Sequence, residues 1–172
     1  SFSGCRSYGE IVSGIFREWA RMEGKPRWGD KTPQYVTDIP ALVEIFPDCK
    51  IIHIYRDGRD VALSLMNTWF GSGNVYSAAR AWKHMMEKGR RDGRGAGPER
   101  YLELRYESLI EGPREAMEEV CEFIGEPFNE TVLAPSFIES EVKRNRPGGY
   151  GTKTKILKGN HGKWRERMPD GD

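Results

Sequence analysis

The chain is 172 residues long and carries 27 lysines and arginines against 26 aspartates and glutamates, a formal net charge of +1 at pH 7. A chain so close to neutral has no global field that would attract nucleic acid or a membrane surface. No run approaches the roughly 20 apolar residues that a membrane span requires, and the length predicts one domain with its own core.

The predicted elements begin with two helices and a short connection between them. Apolar residues recur at helical spacing over 7–24. A second helix is predicted over 36–47, with Pro40 in its first turn and Asp38 as its N-cap. We expect the connecting segment 25–33 to contain the end of a strand.

The middle of the chain alternates between strands and helices. The continuous apolar run over 50–56 is typical of a strand buried on both faces. We then expect a helix over 57–70, a longer helix over 75–91, a loop over 91–100 and a strand over 101–109.

The last predicted elements are helical. Pro113 and Gly125 mark the start and end of a helix within 112–128, and the glycine-rich basic tail from Lys143 predicts a loop followed by a short helix. Strands that are separated by helices imply parallel pairing. The predicted fold class is therefore α/β with three layers, a parallel sheet flanked by helices.

The cysteines and histidines indicate neither a disulfide framework nor a metal site. The cysteines have no CxxC spacing, which favours reduced thiols and a cytoplasmic setting, and the histidines lack the spacing of metal ligands. These residues are Cys5, Cys49, Cys121, His53, His84 and His161.

The most informative segment is KIIHIYRDGRDVALSLM, in which charged residues follow a strand and precede a helix. Open α/β sheets bind ligands at strand ends, and helix N-termini favour anions. A guanidinium and a hydroxyl suit a phosphate, which predicts that Arg56 and Ser64 meet one, with Asp60 orienting the arginines. A solvated turn with internal ion pairs is an equally open alternative.

Three further segments carry candidate residues. In RWGDKTPQYV, Asp30 beside Lys31 suits a general base next to a cation, or a surface ion pair. In ILKGNHGKW, Lys158 and Gly159 suit a phosphate loop, or a flexible basic tail. In LRYESL, Tyr106 suits a purine contact, or packing under the next helix. Taken one at a time, each segment fits the structural alternative better.

Together and in this order, these segments resemble the sulfotransferases that use 3′-phosphoadenosine 5′-phosphosulfate (PAPS), in the bacterial and carbohydrate-type branch of that family. IYRDGRDVALS resembles the family's strand, loop and helix for the 3′-phosphate, and LKGNHGKW resembles its late phosphate loop. LRYESLIEGPREAMEEVCEFIG resembles the strand and helix with an adenine-side tyrosine, and WGDKTP resembles the segment with an acid beside a lysine.

The resemblance implies a P-loop NTPase-like sulfotransferase fold and transfer of a sulfuryl group from PAPS to an acceptor hydroxyl or amine, without a metal. The acceptor would be a small molecule or a glycan. By the same likeness Asp30 is the general base, Lys31 steadies the transferring group and Tyr106 lies near the adenine. The residues implied for the 3′-phosphate are Arg56, Ser64, Lys158 and Gly159.

Two departures from the family pattern affect these expectations. No glycine- and threonine-rich loop for the 5′-phosphosulfate stands before Ser7, so we expect the chain to be N-terminally incomplete, without the first strand and that loop. Leu157 stands where the family has an arginine, which removes one phosphate contact. A non-catalytic nucleotide-binding module and an ATP-using kinase-like enzyme are the alternatives, although the sequence contains no GxxxxGK[ST] motif.

Overall fold

The computed structural model describes residues 7–66, 74–134 and 161–168. The elements within those residues are α1 (Tyr8–Met22), a 3-10 helix (Pro33–Thr37), α2 (Ile39–Ile45), β1 (Ile51–Tyr55), α3 (Gly58–Met66), α4 (Val75–Ala96), β2 (Tyr101–Arg105), α5 (Tyr106–Glu111), α6 (Pro113–Ile124), a second 3-10 helix (Glu130–Leu133) and α7 (Trp164–Arg167). In this described part, no helix is both long enough and apolar enough to cross a membrane.

The two strands are parallel neighbours, paired in register from the first residue of each to the last, where Tyr55 lies opposite Arg105. Because α3 and α4 lie in the crossover between them, both strands end at the same edge of the sheet. Arg56 and Tyr106 are the first residues beyond these ends. The register therefore brings two predicted site residues to neighbouring positions.

Helices cover both faces of this sheet, because alternate residues of a strand point to opposite sides. On one face, a buried cluster from α2, α4 and β2 consists of Ile39, Ala96 and Tyr101, with Val43 and Ile51 packed against it. On the other face, a cluster from β2 and α6 consists of Leu104, Ala116 and Val120, with Leu102, Leu109 and Met117 packed against it. The predicted arrangement of a parallel sheet between helical layers is confirmed.

The two helices predicted before the first strand are present, although the second has different bounds. α1 begins with the Ser7 hydroxyl as its N-cap, which accepts a hydrogen bond from the Glu10 N–H at 3.2 Å. The helix predicted over 36–47 is split into a 3-10 helix that ends at Thr37 and the short α2. Asp38 stands at the N-cap position of α2, but its side chain makes no capping hydrogen bond.

The strand end predicted within 25–33 is wrong, since residues 25–32 form neither helix nor strand. Aromatic contacts hold this segment instead. The Trp28 ring stacks on Phe16 with 4.7 Å between ring centres and meets the edge of Phe46 at 6.1 Å. Packing of this half-buried indole against two rings supplies the apolar contact that a sheet would otherwise give.

α4 is longer than predicted and occupies most of the loop expected over 91–100. The helix ends at Ala96, and its C-cap is Gly97, whose φ is +89°. Glycine costs about 1 kcal/mol against alanine in a helix interior. Gly93 is nevertheless buried in α4, because its missing side chain leaves room for the Tyr101 ring. Tertiary packing thus overrides the low helix propensity of this glycine-rich segment.

β2 is shorter than the strand predicted over 101–109, because the chain becomes helical at Tyr106. The change of direction is fixed by Glu107, which is buried and accepts hydrogen bonds from the Asp57 N–H and from Arg105 Nε. A buried carboxylate must keep its donors. This requirement holds the chain in a turn where apolar alternation alone would extend the strand.

Replacing Gly93 with alanine should destabilise the fold, because the new Cβ would lie less than 3.0 Å from three atoms of the Tyr101 ring. We expect the free energy of unfolding to fall by about 1–3 kcal/mol. Gly95→Ala in the same helix is the matched control, since nothing lies within 4 Å of its Cβ, and it should gain up to about 1 kcal/mol. Urea unfolding measures both, and equal stability of the two variants would contradict this packing.

Candidate functional site

The two strand ends bring a guanidinium and an aromatic ring together. The guanidinium carbon of Arg56 lies 5.0 Å from the centre of the Tyr106 ring, and its Nη2 lies 3.5 Å from Asp60 Oδ2. The Arg56 side chain is 22% exposed, so it is held by a ring and a carboxylate and still reaches the surface. A planar fork of donors beside an aromatic plane fits a phosphate next to a purine.

The start of α3 is fixed against α4 by a close approach. A Cβ at Gly58 would lie less than 3.0 Å from the Trp82 indole, so only glycine fits there without a shift. Trp82 Nε1 donates a hydrogen bond to the Arg56 carbonyl at 3.2 Å. Ser64 lies on the same helix, eight positions after Arg56, and is exposed. The helix that carries Ser64 is therefore anchored directly beside Arg56.

Asp60 is buried in this site, and its side chain is fully covered. Oδ2 accepts a hydrogen bond from the Gly162 N–H at 2.6 Å, and Oδ1 accepts one from the Trp164 N–H at 3.1 Å. These bonds join α3 to the segment 161–168. Two N–H donors and the Arg56 guanidinium satisfy the charged carboxylate, which is what permits its burial.

Arg59 makes a second link to the same segment. Its guanidinium carbon lies 3.6 Å from the centre of the Trp164 ring. Its Nε and Nη2 donate to the two oxygens of Asp57 at 2.9 and 2.6 Å. This forked pair holds the pKa of Asp57 below its usual value, although partial burial acts in the opposite direction. Asp57 is therefore charged at neutral pH and orients Arg59 over the indole.

Glu107 is the second buried carboxylate of the site. Its Oε1 accepts a hydrogen bond from the Asp57 N–H at 3.0 Å, and its Oε2 accepts one from Arg105 Nε at 3.1 Å. Asp57 belongs to the turn after β1, and Arg105 ends β2. The Glu107 side chain therefore ties the two strand ends to each other.

Two cavities open at this edge of the sheet, with volumes of about 680 and 230 Å³. Residues from β1, α3, α4, β2 and the end of α7 line the larger cavity: Tyr55, Arg56, Asp57, Gly58, Arg59, Ala62, Val75, Ala79, Trp82, Lys83, Arg90, Arg105 and Met168. The smaller cavity is lined by Asp57, Arg59, Arg105, Glu107, Glu111, His161, Gly162, Trp164 and Arg165. The turn after β1 and the end of β2 contribute to both.

The sequence profile of the sulfotransferase family matches residues 5–130. The chain belongs to the sulfotransferase family. A protein-tyrosine sulfotransferase from Drosophila melanogaster is 28% identical over 132 residues, which cover 74% of this chain and 26% of that protein. An uncharacterized protein from Aquifex aeolicus (strain VF5) is 30% identical over 115 residues, which cover 63% of this chain and 15% of that protein. The chain thus spans about a quarter of the length of the first relative and less of the second.

Two solved sulfotransferase domains share the fold of this family member. The domain from the Synechococcus PCC 7002 olefin synthase has a TM-score of 0.69 at 23% identity, over 94% of this chain and 59% of that chain. The domain from the curacin biosynthetic pathway has a TM-score of 0.69 at 18% identity, over 94% of this chain and 63% of that chain. The predicted sulfotransferase fold is confirmed.

The predicted catalytic pair lies outside this group of contacts. Asp30 and Lys31 are exposed in the irregular segment after α1, where the Thr32 hydroxyl donates a hydrogen bond to Asp30 at 3.0 Å. Neither residue lines either of the two cavities. The catalytic role of this pair stays a prediction. Arg56 and Tyr106, in contrast, are direct neighbours.

Lys158 and Gly159, the other predicted phosphate-binding residues, lie outside the residues that the structure describes. The described chain resumes at His161, whose Nε2 lies 3.5 Å from Glu111 Oε1. Gly162 follows with a φ of +69°, which favours glycine. The residues next to the predicted loop are thus placed beside α5 and α3.

The thiols and histidines have no metal-binding arrangement in the described ranges. No group of three or more histidine, cysteine, aspartate or glutamate side chains there could hold a metal ion. Cys49 and Cys121 are free thiols, and burial raises the pKa of Cys49. His53 packs in the fold, with its Nδ1 2.5 Å from the Tyr101 hydroxyl.

Sequence reasoning missed two contacts, that of Glu107 with Arg105 between the strand ends and that of Trp164 with Arg59 at the start of α3. Acids that alternate with arginines, as in RDGRD and RYE, indicate ion-paired turns, but which pairs form depends on the register of the strands. In RDGRD the structure contains the internal ion pair, and the binding of a phosphate by Arg56 stays a prediction. Asp57 and Arg59 form the internal ion pair, while the preceding arginine faces Tyr106.

Arg59→Gln should raise the pKa of Asp57 toward its ordinary value, because the guanidinium that lowers it is removed. A carboxylate with a folded pKa below its unfolded value of about 3.9 stabilises the fold above that pH and loses this contribution as the pH falls through the folded pKa. The contribution is therefore fully present at pH 7 and is lost progressively as the pH falls below about 4.

An NMR titration of the Asp57 carboxyl carbon measures this change. Asp92 is the internal control, since its pKa is lowered chiefly by Lys88 and should not move in the variant. An Asp57 pKa that is the same with and without Arg59 would show that the forked pair is not formed in solution.

Proposed function

We propose that this protein transfers a sulfuryl group from PAPS to a hydroxyl or amine of a small-molecule or glycan acceptor. The observation that carries the proposal is the meeting of Arg56 and Tyr106, 5.0 Å apart, at the carboxyl edge of a parallel sheet in a chain of the sulfotransferase family. This edge is where open α/β sheets bind ligands. The pair offers hydrogen-bond donors and an aromatic plane in one place.

The 3′-phosphate distinguishes PAPS from ATP, and we assign four residues to it. Arg56 supplies charge-assisted donors and precedes α3, whose N-terminus favours an anion. Ser64 supplies a hydroxyl and lies within that helix. Lys158 and Gly159 supply a cation and a backbone N–H, on the strength of the LKGNHGKW resemblance. Tyr106 then lies beside the adenine.

In the transfer, the acceptor oxygen or nitrogen bonds to sulfur while the bond from sulfur to the 5′-phosphate oxygen breaks. The acceptor gives up a proton, and we assign Asp30 as its base, with Lys31 balancing charge on the transferring group. The products are the sulfated acceptor and 3′-phosphoadenosine 5′-phosphate. Such a reaction depends on positioning and electrostatics. The Asp30 assignment rests on the resemblance of WGDKTP to the family segment.

The larger cavity, which opens at the same strand end as Arg56, supports binding of the donor nucleotide. Its volume of about 680 Å³ lies in the ordinary range of small-molecule sites, roughly 300–1,000 Å³. The part contributed by α4 includes the apolar side chains of Val75, Ala79 and Trp82. The turn after β1 contributes Arg56, and the start of α3 contributes Arg59. An apolar wall and a cationic wall suit a nucleoside that carries phosphate groups.

Arg56→Ala should remove the preference for a 3′-phosphate. In the full-length protein we expect the affinity for 3′-phosphoadenosine 5′-phosphate to fall about 10–100-fold, the worth of a hydrogen bond to a charged group. The affinity for AMP, which lacks the 3′-phosphate, should change little. Titration calorimetry measures both, and Arg114→Ala is the control, because Arg114 is an exposed residue of α6 that lines neither cavity.

The same titration, extended to ATP, tests the proposed function. Wild-type binding of ATP as tight as that of 3′-phosphoadenosine 5′-phosphate would overturn the assignment of PAPS as the donor. Transfer of label from PAPS to a panel of hydroxyl and amine compounds tests the reaction itself. Selective binding of the bisphosphate without any transfer would favour a non-catalytic nucleotide-binding module.

Asp30→Asn should lower kcat about 10²–10⁴-fold, the usual worth of a general base. It should leave the affinity for 3′-phosphoadenosine 5′-phosphate unchanged, because Asp30 lines neither cavity. Asp48→Asn, at another exposed aspartate, is the matched control. Steady-state transfer assays with an acceptor found in the panel measure kcat, and a variant that keeps wild-type kcat would exclude Asp30 as the base.

A further inference from the structure

One buried side chain contacts both sides of the proposed 3′-phosphate site. Asp60 Oδ2 lies 3.5 Å from Arg56 Nη2 and 2.6 Å from the Gly162 nitrogen, while Oδ1 lies 3.1 Å from the Trp164 nitrogen. The Asp60 side chain is 0% exposed, so water does not compete for these bonds. A single carboxylate therefore sets the separation between the Arg56 guanidinium and the backbone of 161–168.

We propose that Asp60 is a positioning residue that holds Arg56 and the segment 161–168 at a fixed separation, so that the 3′-phosphate of the donor is bound between them. The inference rests on the proposed function, because it assigns Asp60 to the 3′-phosphate site. Asp60 does not itself touch the phosphate, since two like charges in a poorly solvated site repel each other strongly. It acts through the donors that it orients.

The Asp60 carboxylate joins two parts of the chain that are distant in sequence. Gly162 follows Asp60 by 102 positions and Trp164 follows it by 104. The same carboxylate contacts Arg56, four positions before it. It therefore couples the strand-end arginine to the backbone of 161–168.

A second attachment makes the inference testable by substitution. The Arg59 guanidinium lies 3.6 Å from the centre of the Trp164 ring and is itself held by Asp57. Loss of the Asp60 bonds thus leaves the segment 161–168 stacked on α3. We expect an Asp60 variant to fold and to lose the alignment of the donors rather than the segment as a whole.

Asp60→Asn keeps the shape of the side chain but replaces one acceptor oxygen with an N–H₂ group. That group would face a backbone N–H or the Arg56 guanidinium, donor against donor. In the full-length protein we expect the Kd for 3′-phosphoadenosine 5′-phosphate to rise at least about tenfold. The Kd for AMP should stay within about twofold. Glu119→Gln, at an exposed carboxylate of α6, is the matched control and should change neither value.

The two ligands separate a positioning role from a merely structural one. If Asp60→Asn raised the Kd values of both ligands by the same factor, the inference would be overturned. A general loss of structure weakens binding without distinguishing a ligand that carries the 3′-phosphate from one that lacks it. A variant that keeps the wild-type preference for the bisphosphate would also overturn it. A wild-type protein without that preference would instead overturn the proposed function, and the inference with it.

Hydrogen exchange on the wild-type protein gives a test that needs no variant. If the segment 161–168 closes the 3′-phosphate site, 3′-phosphoadenosine 5′-phosphate should slow exchange of the Gly162 and Trp164 amides several-fold more than AMP does at equal saturation. Amides in β1 and β2 should respond alike to the two ligands. Equal slowing of the Gly162 and Trp164 amides by both ligands would overturn the inference even if Asp60→Asn failed to fold.

Discussion

The parallel register of β1 and β2 is the constraint on which the candidate site depends. Because Tyr55 lies opposite Arg105, the chain leaves both strands at one edge of the sheet and at the same level. Arg56 and Tyr106 meet because each is the first residue after its strand. A slip of one residue would turn the side chains of a strand to the opposite face, and the guanidinium would no longer meet the ring.

Buried carboxylates hold this edge in a more specific way than backbone pairing alone. Asp60 and Glu107 together accept three backbone N–H bonds and contact two guanidinium groups. A buried charge that lost its partners would cost several kcal/mol. Every arrangement in which these donors move away is therefore penalised, and the arginines are oriented before any ligand arrives. Such preorganisation is what lets a charged site act strongly on a bound anion.

The sequence was informative where patterns are local. The buried strand, the charged turn after it and the family resemblance all come from contiguous residues, and Arg56 at the strand end lies where that pattern predicts. The end of α4 was predicted wrongly because it depends on Gly93 fitting the Tyr101 ring, a contact between two separate elements. The hydrogen bond from the Gly162 N–H to Asp60 joins residues 102 positions apart. No local pattern encodes such a pair, and only the folded chain reveals it.

The larger cavity takes charged lining residues from α4 and from the carboxyl end of β2. On the α4 face, the paired positions change toward the carboxyl edge from Ile51 and Tyr101, through His53 and Glu103, to Tyr55 and Arg105. Burial raises the pKa of Tyr101 and lowers that of His53, so both are neutral at pH 7. The charged side chains next to Tyr101 and His53 are therefore Glu103 and Arg90. Arg90 Nε donates a hydrogen bond to the Glu103 carboxylate at 3.0 Å. Arg90 lines the larger cavity, whereas the opposite face presents Leu102 and Leu104 to α6. The pair at the start of the two strands thus belongs to the core, and the pair at their carboxyl ends belongs to the site.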